Sequence, residues 1–221
     1  MIYHVHSAYT PKNSETARRM QLAKLTWSTQ PWKEIPVFDS EVRVFQDRGG
    51  KVPYVKDILD KGAQGKDPSD ILVFTNSDIC VRSNCAMMIA AALQGISAAY
   101  CFRRDFGRLN GPLPDKAIPK GHPYVGSDLY ALRVGWWKHY REDFPDMLLG
   151  RECWDAVLRL LIDYTSPGQH PTLQNLIYHE WHASTWEAPQ NRGSLASQQY
   201  NQGLARAWMR AWGYNPRSIG I

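Results

Sequence analysis

The chain has 221 residues, enough for one well-filled core. It contains 26 Lys and Arg against 21 Asp and Glu, for a net charge of +5. No apolar run is long enough to cross a bilayer, which excludes a helical membrane spanner. The opening Met1-Ile-Tyr-His-Val-His lacks the charged-then-apolar layout of a signal peptide, and the four cysteines (Cys80, Cys85, Cys101, Cys153) lack metal-type spacing. Free thiols in a reducing compartment are the expectation, and with them a cytoplasmic protein.

Ile2 to Ala8 reads as a first strand, followed by a turn at Pro11 to Asn13 and a helix from Asn13 or Ser14 to Trp27. Ile35-Pro36-Val37-Phe38 is a short second strand ending on Asp39. Strand, helix and strand in this order open a Rossmann-like half. Arg48-Gly49-Gly50-Lys51 is a loop with basic flanks, fit for a diphosphate or simply a turn. Val52 to Ala63 is expected to be helical.

Ile71-Leu72-Val73-Phe74 is an apolar run of the length and composition of a strand buried on both faces. It breaks into Thr75-Asn76-Ser77-Asp78, which puts small polar residues at the carboxyl edge of a sheet, where open α/β sheets bind ligands. Asn76 and Asp78 share a side in an extended segment and suit a hard cation with phosphate oxygens. The competing reading is an ordinary turn. A buried helix follows, from Ser83 or Asn84 to Leu93, and then a strand from Ala98 to Phe102 ending on Arg103-Arg104-Asp105. These arginines can meet phosphate or pair with Asp105.

Asn110 to His122, with three prolines and two glycines, is a long irregular segment. Strand character returns from Tyr124 to Arg133, through Gly126, Ser127 and Asp128, and Trp136-Trp137 opens a short helical or turn segment. After Pro145 and Gly150, Glu152 is expected in the first turn of a helix with an apolar stripe of Trp154, Val157, Leu158 and Leu161. Asp155 lies three residues on, so the two acids neighbour one another, as functional groups or as helix-start residues. In Leu176 to Trp186, His179 and His182 share a face on a helix and oppose each other on a strand. Their His-Glu-Trp-His spacing departs from the His-Glu-x-x-His of zinc proteases. Gln198 to Trp212 reads as a helix, and the stretch from Ala188 to Ile221 has four arginines (Arg192, Arg206, Arg210, Arg217) and no acid. That balance suits a polyanionic partner or a solvated face.

Three of these segments resemble, in order, the motifs of nucleotide-sugar glycosyltransferases of the GT-A fold. Asn76-Ser77-Asp78 resembles their Asp-x-Asp motif, with Asn in the first acidic position. Gly126-Ser127-Asp128 resembles the small-plus-acidic pair that lines the donor sugar. Gly150-Arg151-Glu152, leading into Trp154-Asp155, resembles the acceptor-side motif of inverting members. The resemblance implies an α/β domain over residues 1–188, with a mostly parallel sheet and helices on both faces, followed by a basic aromatic segment over 189–221.

It further implies Mn²⁺ or Mg²⁺ held by Asp78 with a late histidine, His182 before His179. The implied donor is a nucleotide-diphosphate sugar, UDP-linked by preference, contacted by Ser7, Asp39, Asn76, Ser77, Arg103, Gly126, Ser127 and Asp128. Glu152, with Asp155 as alternate, would be the general base. The resemblance does not name the acceptor. The reduced cysteines and the basic aromatic segment are compatible with a cytoplasmic polyanion, such as a hydroxymethylated base in DNA, with a saccharide as the competing class. Outside this family, the same residues fit a nucleic-acid-binding module, or a phosphoryl-transfer enzyme or nuclease using Asp78, Asp128 and Glu152.

Overall fold

The computed structural model describes residues 1–11, 13–47, 50–166, 173–183 and 196–219. The chain opens with strand β1 (Ile2–Ala8) and helix α1 (Ser14–Trp27). The Asn13 side chain caps α1 by accepting from the Thr16 amide at 2.8 Å. Strand β2 (Lys33–Phe38) lies at the sheet's edge, where Pro36 removes no needed donor. The expected helix from Val52 instead begins as a strand. Val44–Asp47 (β3) and Gly50–Pro53 (β4) pair antiparallel, and only Val55–Ala63 is helical (α2). Pro53 accounts for the difference, since the residue before a proline is pushed towards extended backbone. Arg48 and Gly49, the centre of the expected diphosphate loop, lie outside the described residues.

The central strand is β5 (Ile71–Thr75), buried throughout, followed by a two-residue strand β6 (Cys80–Val81) and helix α3 (Cys85–Ala92). Strand β7 (Ala98–Phe106) runs four residues beyond its expected end, because Arg104, Asp105 and Phe106 find a parallel partner in β9 (Ile177–Glu180). Next come a 3₁₀ turn at Asp115–Lys120, strand β8 (His122–Arg133) and helix α4 (Val134–Tyr140). Helices α5 (Trp154–Thr165) and α6 (Ala196–Ala211) complete the fold.

Seven strands form one sheet in the order β2-β1-β5-β8-β7-β9-β6. The expected mostly parallel sheet is mixed. Strands β2, β1, β5, β7 and β9 run one way, while β8 and β6 run against them. Side chains alternate between two apolar layers, as strand periodicity demands. Leu72, Phe74, Tyr100, Tyr130 and Leu132 face a cluster built with α2, α4, α5 and α6. Ile71, Val73, Cys101, Leu129 and Ala131 face a second cluster built with α1 and α3. Both faces are therefore covered by helices, as expected of an α/β fold. The described part of the basic segment joins the first layer: Ala205, Trp208 and Met209 of α6 are buried there with Leu158 and Leu161 of α5. No helix among the described residues is long and apolar enough to cross a membrane.

Candidate metal centre

Asp78 stands three residues past the end of β5, so the buried strand delivers its carboxylate to the carboxyl edge of the sheet. His179 is on β9, two strands beyond β8, and His182 lies just after that strand. His182 lies two residues past the end of β9, outside the strand whose alternation would oppose it to His179, and the two imidazoles converge, with ring centroids 4.9 Å apart. His182 Nε2 lies 3.0 Å and His179 Nε2 3.4 Å from Asp78 Oδ2. One ligand atom from each of the three residues falls within 4.8 Å of the others, a spacing that a single cation can bridge.

Electrostatics supports the cluster. Burial alone would raise the Asp78 pKa, but the two histidines outweigh it and hold the carboxylate well below its ordinary range. For His179 burial is again the largest influence and opposes charge, yet the Asp105 and Asp78 carboxylates carry its pKa up to about 9. With two imidazoles and one carboxylate, the donor set fits Mn²⁺ or another first-row ion better than Mg²⁺, which prefers oxygen ligands.

The centre opens into a cleft of about 1450 Å³. All thirteen candidate residues line it: Ser7, Asp39, Asn76, Ser77, Asp78, Arg103, Gly126, Ser127, Asp128, Glu152, Asp155, His179 and His182. Ser7 comes from the end of β1 and Asp39 from the residue after β2, so the amino-terminal half supplies one wall. Residues 149–156, leading into and opening α5, supply another part of the wall.

The structure corrects several expectations in detail. Arg103 is held within the protein: its Nε donates to Asp105 at 2.8 Å and its Nη1 to Asp128 at 2.9 Å, with the guanidinium 3.7 Å from the Tyr124 ring centroid. Asn76 does not join the metal cluster; its Nδ2 donates to Asp128 at 2.7 Å. Asp128 is thus engaged at both oxygens and stands outside the Asp78 triad, which weakens a multi-carboxylate nuclease site.

Glu152 is not in the first turn of α5. Cys153, at φ 78°, adopts a left-handed conformation as the residue before the helix, so Glu152 lies outside it and accepts from Gln202 at 2.9 Å. Asp155 does sit in the first turn. Burial foremost, and the neighbouring Asp128 charge next, raise its pKa to about 6. Gly126 leaves the room for this arrangement: a Cβ there would lie 2.4 Å from the Tyr124 ring and 3.1 Å from Asp155 Oδ2.

Sequence reading missed Arg19, a residue of α1 that lines the cleft. Its buried Nε has no hydrogen-bond partner among the described residues. No sequence signal separated it from Arg18, and both face Glu180, Arg18 in a direct hydrogen bond and Arg19 with its Nη1 3.9 Å from the carboxylate. Tyr9, Tyr124, Arg151 and Arg159 also line the cleft. Arg192 and Trp186 lie outside the described residues. No protein-family model matches the chain, and no curated protein matches its sequence.

Proposed function

We propose that the protein is a metal-dependent glycosyltransferase that moves a sugar from a nucleotide-diphosphate sugar to an acceptor hydroxyl. The observation that carries this reading is the Asp78–His179–His182 cluster at the carboxyl edge of the sheet, opening into a cleft walled on one side by the β1-α1-β2 half. Asp78, His179 and His182 would hold the ion, Mn²⁺ in preference to Mg²⁺, and a bound ion would neutralise charge on the departing diphosphate.

The remaining work falls to side chains. Arg19 brings a positive charge to the cleft that would attract phosphate oxygens, and Asp39 and Ser7 stand where the nucleoside would lie against the first two strands. Asp155 is a better general base than Glu152: a pKa of about 6 leaves it ionised at neutral pH and close enough to that pH to accept a proton. Glu152, tied to Gln202, would instead help orient the acceptor.

The acceptor in this reading is the hydroxyl of a polyanion such as a hydroxymethylated base in DNA. Arg151 and Arg159 line the acceptor wall, and α6 exposes Arg206 and Arg210. A base in a duplex would have to be extruded to reach the cleft, and binding would weaken steeply with salt.

The test is melting temperature against nucleotide diphosphates and nucleotide sugars, with Mn²⁺, Mg²⁺ or Fe²⁺ or with a chelator, since a ligand of the native state alone raises it. A Mn²⁺-dependent rise with one nucleotide series, abolished in Asp78→Ala, is expected. Iron is included because two histidines and a carboxylate also suit Fe²⁺. A flat response to every nucleotide, with DNA alone stabilising, overturns the transferase reading in favour of a nucleic-acid-binding module.

A further inference from the structure

Asn76, Asp128, Arg103, Asp105 and His179 form a continuous chain of side-chain hydrogen bonds that begins and ends at Asp78's own neighbourhood. Asn76 Nδ2 donates to Asp128 Oδ1 at 2.7 Å. Asp128 Oδ2 accepts from Arg103 Nη1 at 2.9 Å, and Arg103 Nε donates to Asp105 Oδ1 at 2.8 Å. The same Asp105 oxygen lies 3.1 Å from His179 Nδ1, and His179 Nε2 lies 3.4 Å from Asp78. Asn76 and Asp78 are two residues apart on the segment leaving β5, so the chain closes into a ring across β8, β7 and β9.

The ring is built from buried groups. Asp105, Asp128 and His179 are each less than a tenth exposed. A buried charge is retained only where partners satisfy it, and here one guanidinium serves two carboxylates while stacking on Tyr124. With Nδ1 facing the Asp105 carboxylate, a neutral His179 keeps its proton on that nitrogen and leaves the Nε2 lone pair turned towards Asp78. A carboxylate behind a ligating imidazole fixes its tautomer and its angle in this way.

We propose that Asp105 is the positioning residue of the metal centre, and that the Asn76–Asp128–Arg103 arc exists to hold it in place. This rests on the metal-centre reading above and adds to it a residue that does not touch the ion. It also gives Asn76 a reason to be an amide. The position faces Asp128 and must donate, which a carboxylate at neutral pH cannot do.

The test uses the full chain, with Mn²⁺ alone as probe and free Mn²⁺ followed by electron paramagnetic resonance. Asp105→Ala is expected to weaken Mn²⁺ binding roughly 10–100-fold, the usual consequence of losing a partner behind a ligand. Asp105→Asn keeps an acceptor oxygen of the same shape, so it is expected to lose less affinity, with a metal-free melting temperature close to that of the wild type. If Asp105→Ala does not fold, Asp105→Asn carries the test. Wild-type affinity in either folded variant overturns the positioning role and leaves the metal centre standing. No Mn²⁺ binding by the wild-type chain overturns both.

Discussion

Asn76 occupies the position where an acid would be expected of a metal-binding pair, and its neighbours explain the exchange. Asp128 Oδ1 lies 2.7 Å from the Asn76 amide nitrogen, so a carboxylate at 76 would meet another carboxylate in a half-buried site. Asn76→Asp is therefore expected to lower the melting temperature at neutral pH, by on the order of 1–3 kcal/mol in stability. The loss should shrink as pH falls and one of the two acids takes a proton. A melting temperature at or above wild type at pH 8 would show that the amide is not needed as a donor. The place of Asp78 at the sheet's carboxyl edge was legible because a buried apolar run breaks there into small polar residues, although the same residues also suit an ordinary turn. The engagement of Arg103 was half legible. Its pairing with Asp105 follows from alternation along one strand. Its pairing with Asp128 depends on the β7–β8 register, whose shifts between Cys101 and Arg104 no local pattern encodes.

At the scale of elements, the cleft wall before α5 depends on a helix that lies distant in the chain. Asn201 of α6 is fully buried. Its Oδ1 accepts from the Leu148 amide at 2.8 Å, and its Nδ2 donates to the Leu148 carbonyl at 2.9 Å and the Glu152 carbonyl at 3.1 Å. These bonds clamp the irregular segment before α5, where Gly150 and Cys153 both take positive φ. Asn201→Ala would strand buried backbone groups and is expected to cost roughly 2–4 kcal/mol, read from denaturant unfolding. A loss below about 0.5 kcal/mol, within the range of ordinary surface changes, would mean that the segment holds its shape unaided.

The helix itself was legible from its one-turn spacing of Trp208 and Trp212, but its role was not. Arg206 and Arg210 of the acid-free stretch face outward, whereas the buried stripe of Ala205, Trp208 and Met209 points inward, and both are true of one amphipathic helix. The β3–β4 pairing was missed for a related reason, since Val52-Pro53 fits either a strand or a helix start until its antiparallel partner is known.

The whole molecule carries buried titrating groups whose effects on stability oppose one another, His4 on one side and Asp155 and His179 on the other. His4 stacks on Trp32 and meets Trp27 edge-on, and its Nε2 bonds Thr75 Oγ1 at 2.8 Å. Burial, helped by the neighbouring His6, holds its pKa well below the ordinary value. The folded state therefore keeps His4 neutral. The stability this contributes is present above about pH 6.5 and is lost as pH falls, by up to about 1.4 kcal/mol per unit. Asp155 has the opposite sign. Its pKa of about 6 lies above that of an unfolded aspartate, so its ionised form costs stability at neutral pH, and that cost is relieved as pH falls through 6 towards 4.

Between those values the two slopes offset. His179, whose folded pKa of about 9 lies above that of an unfolded histidine, gains stability as pH falls from 7 to 6 and opposes His4 there. The wild-type melting temperature is thus expected to hold or rise slightly over that interval and then flatten before general acid unfolding. Asp155→Asn removes the relief, so it should be more stable than wild type at pH 8, by on the order of 1–2 kcal/mol, and decline more steeply below pH 6. His4→Gln, which preserves a partner for Thr75, should gain stability relative to the wild type as pH falls from 7 to 6, whatever packing it loses at neutral pH. Superimposable profiles for the wild type and both variants would mean that neither buried group titrates as its surroundings dictate. A profile altered only in Asp155→Asn would locate the acid response in the cleft and detach it from the His4 cluster beneath α1.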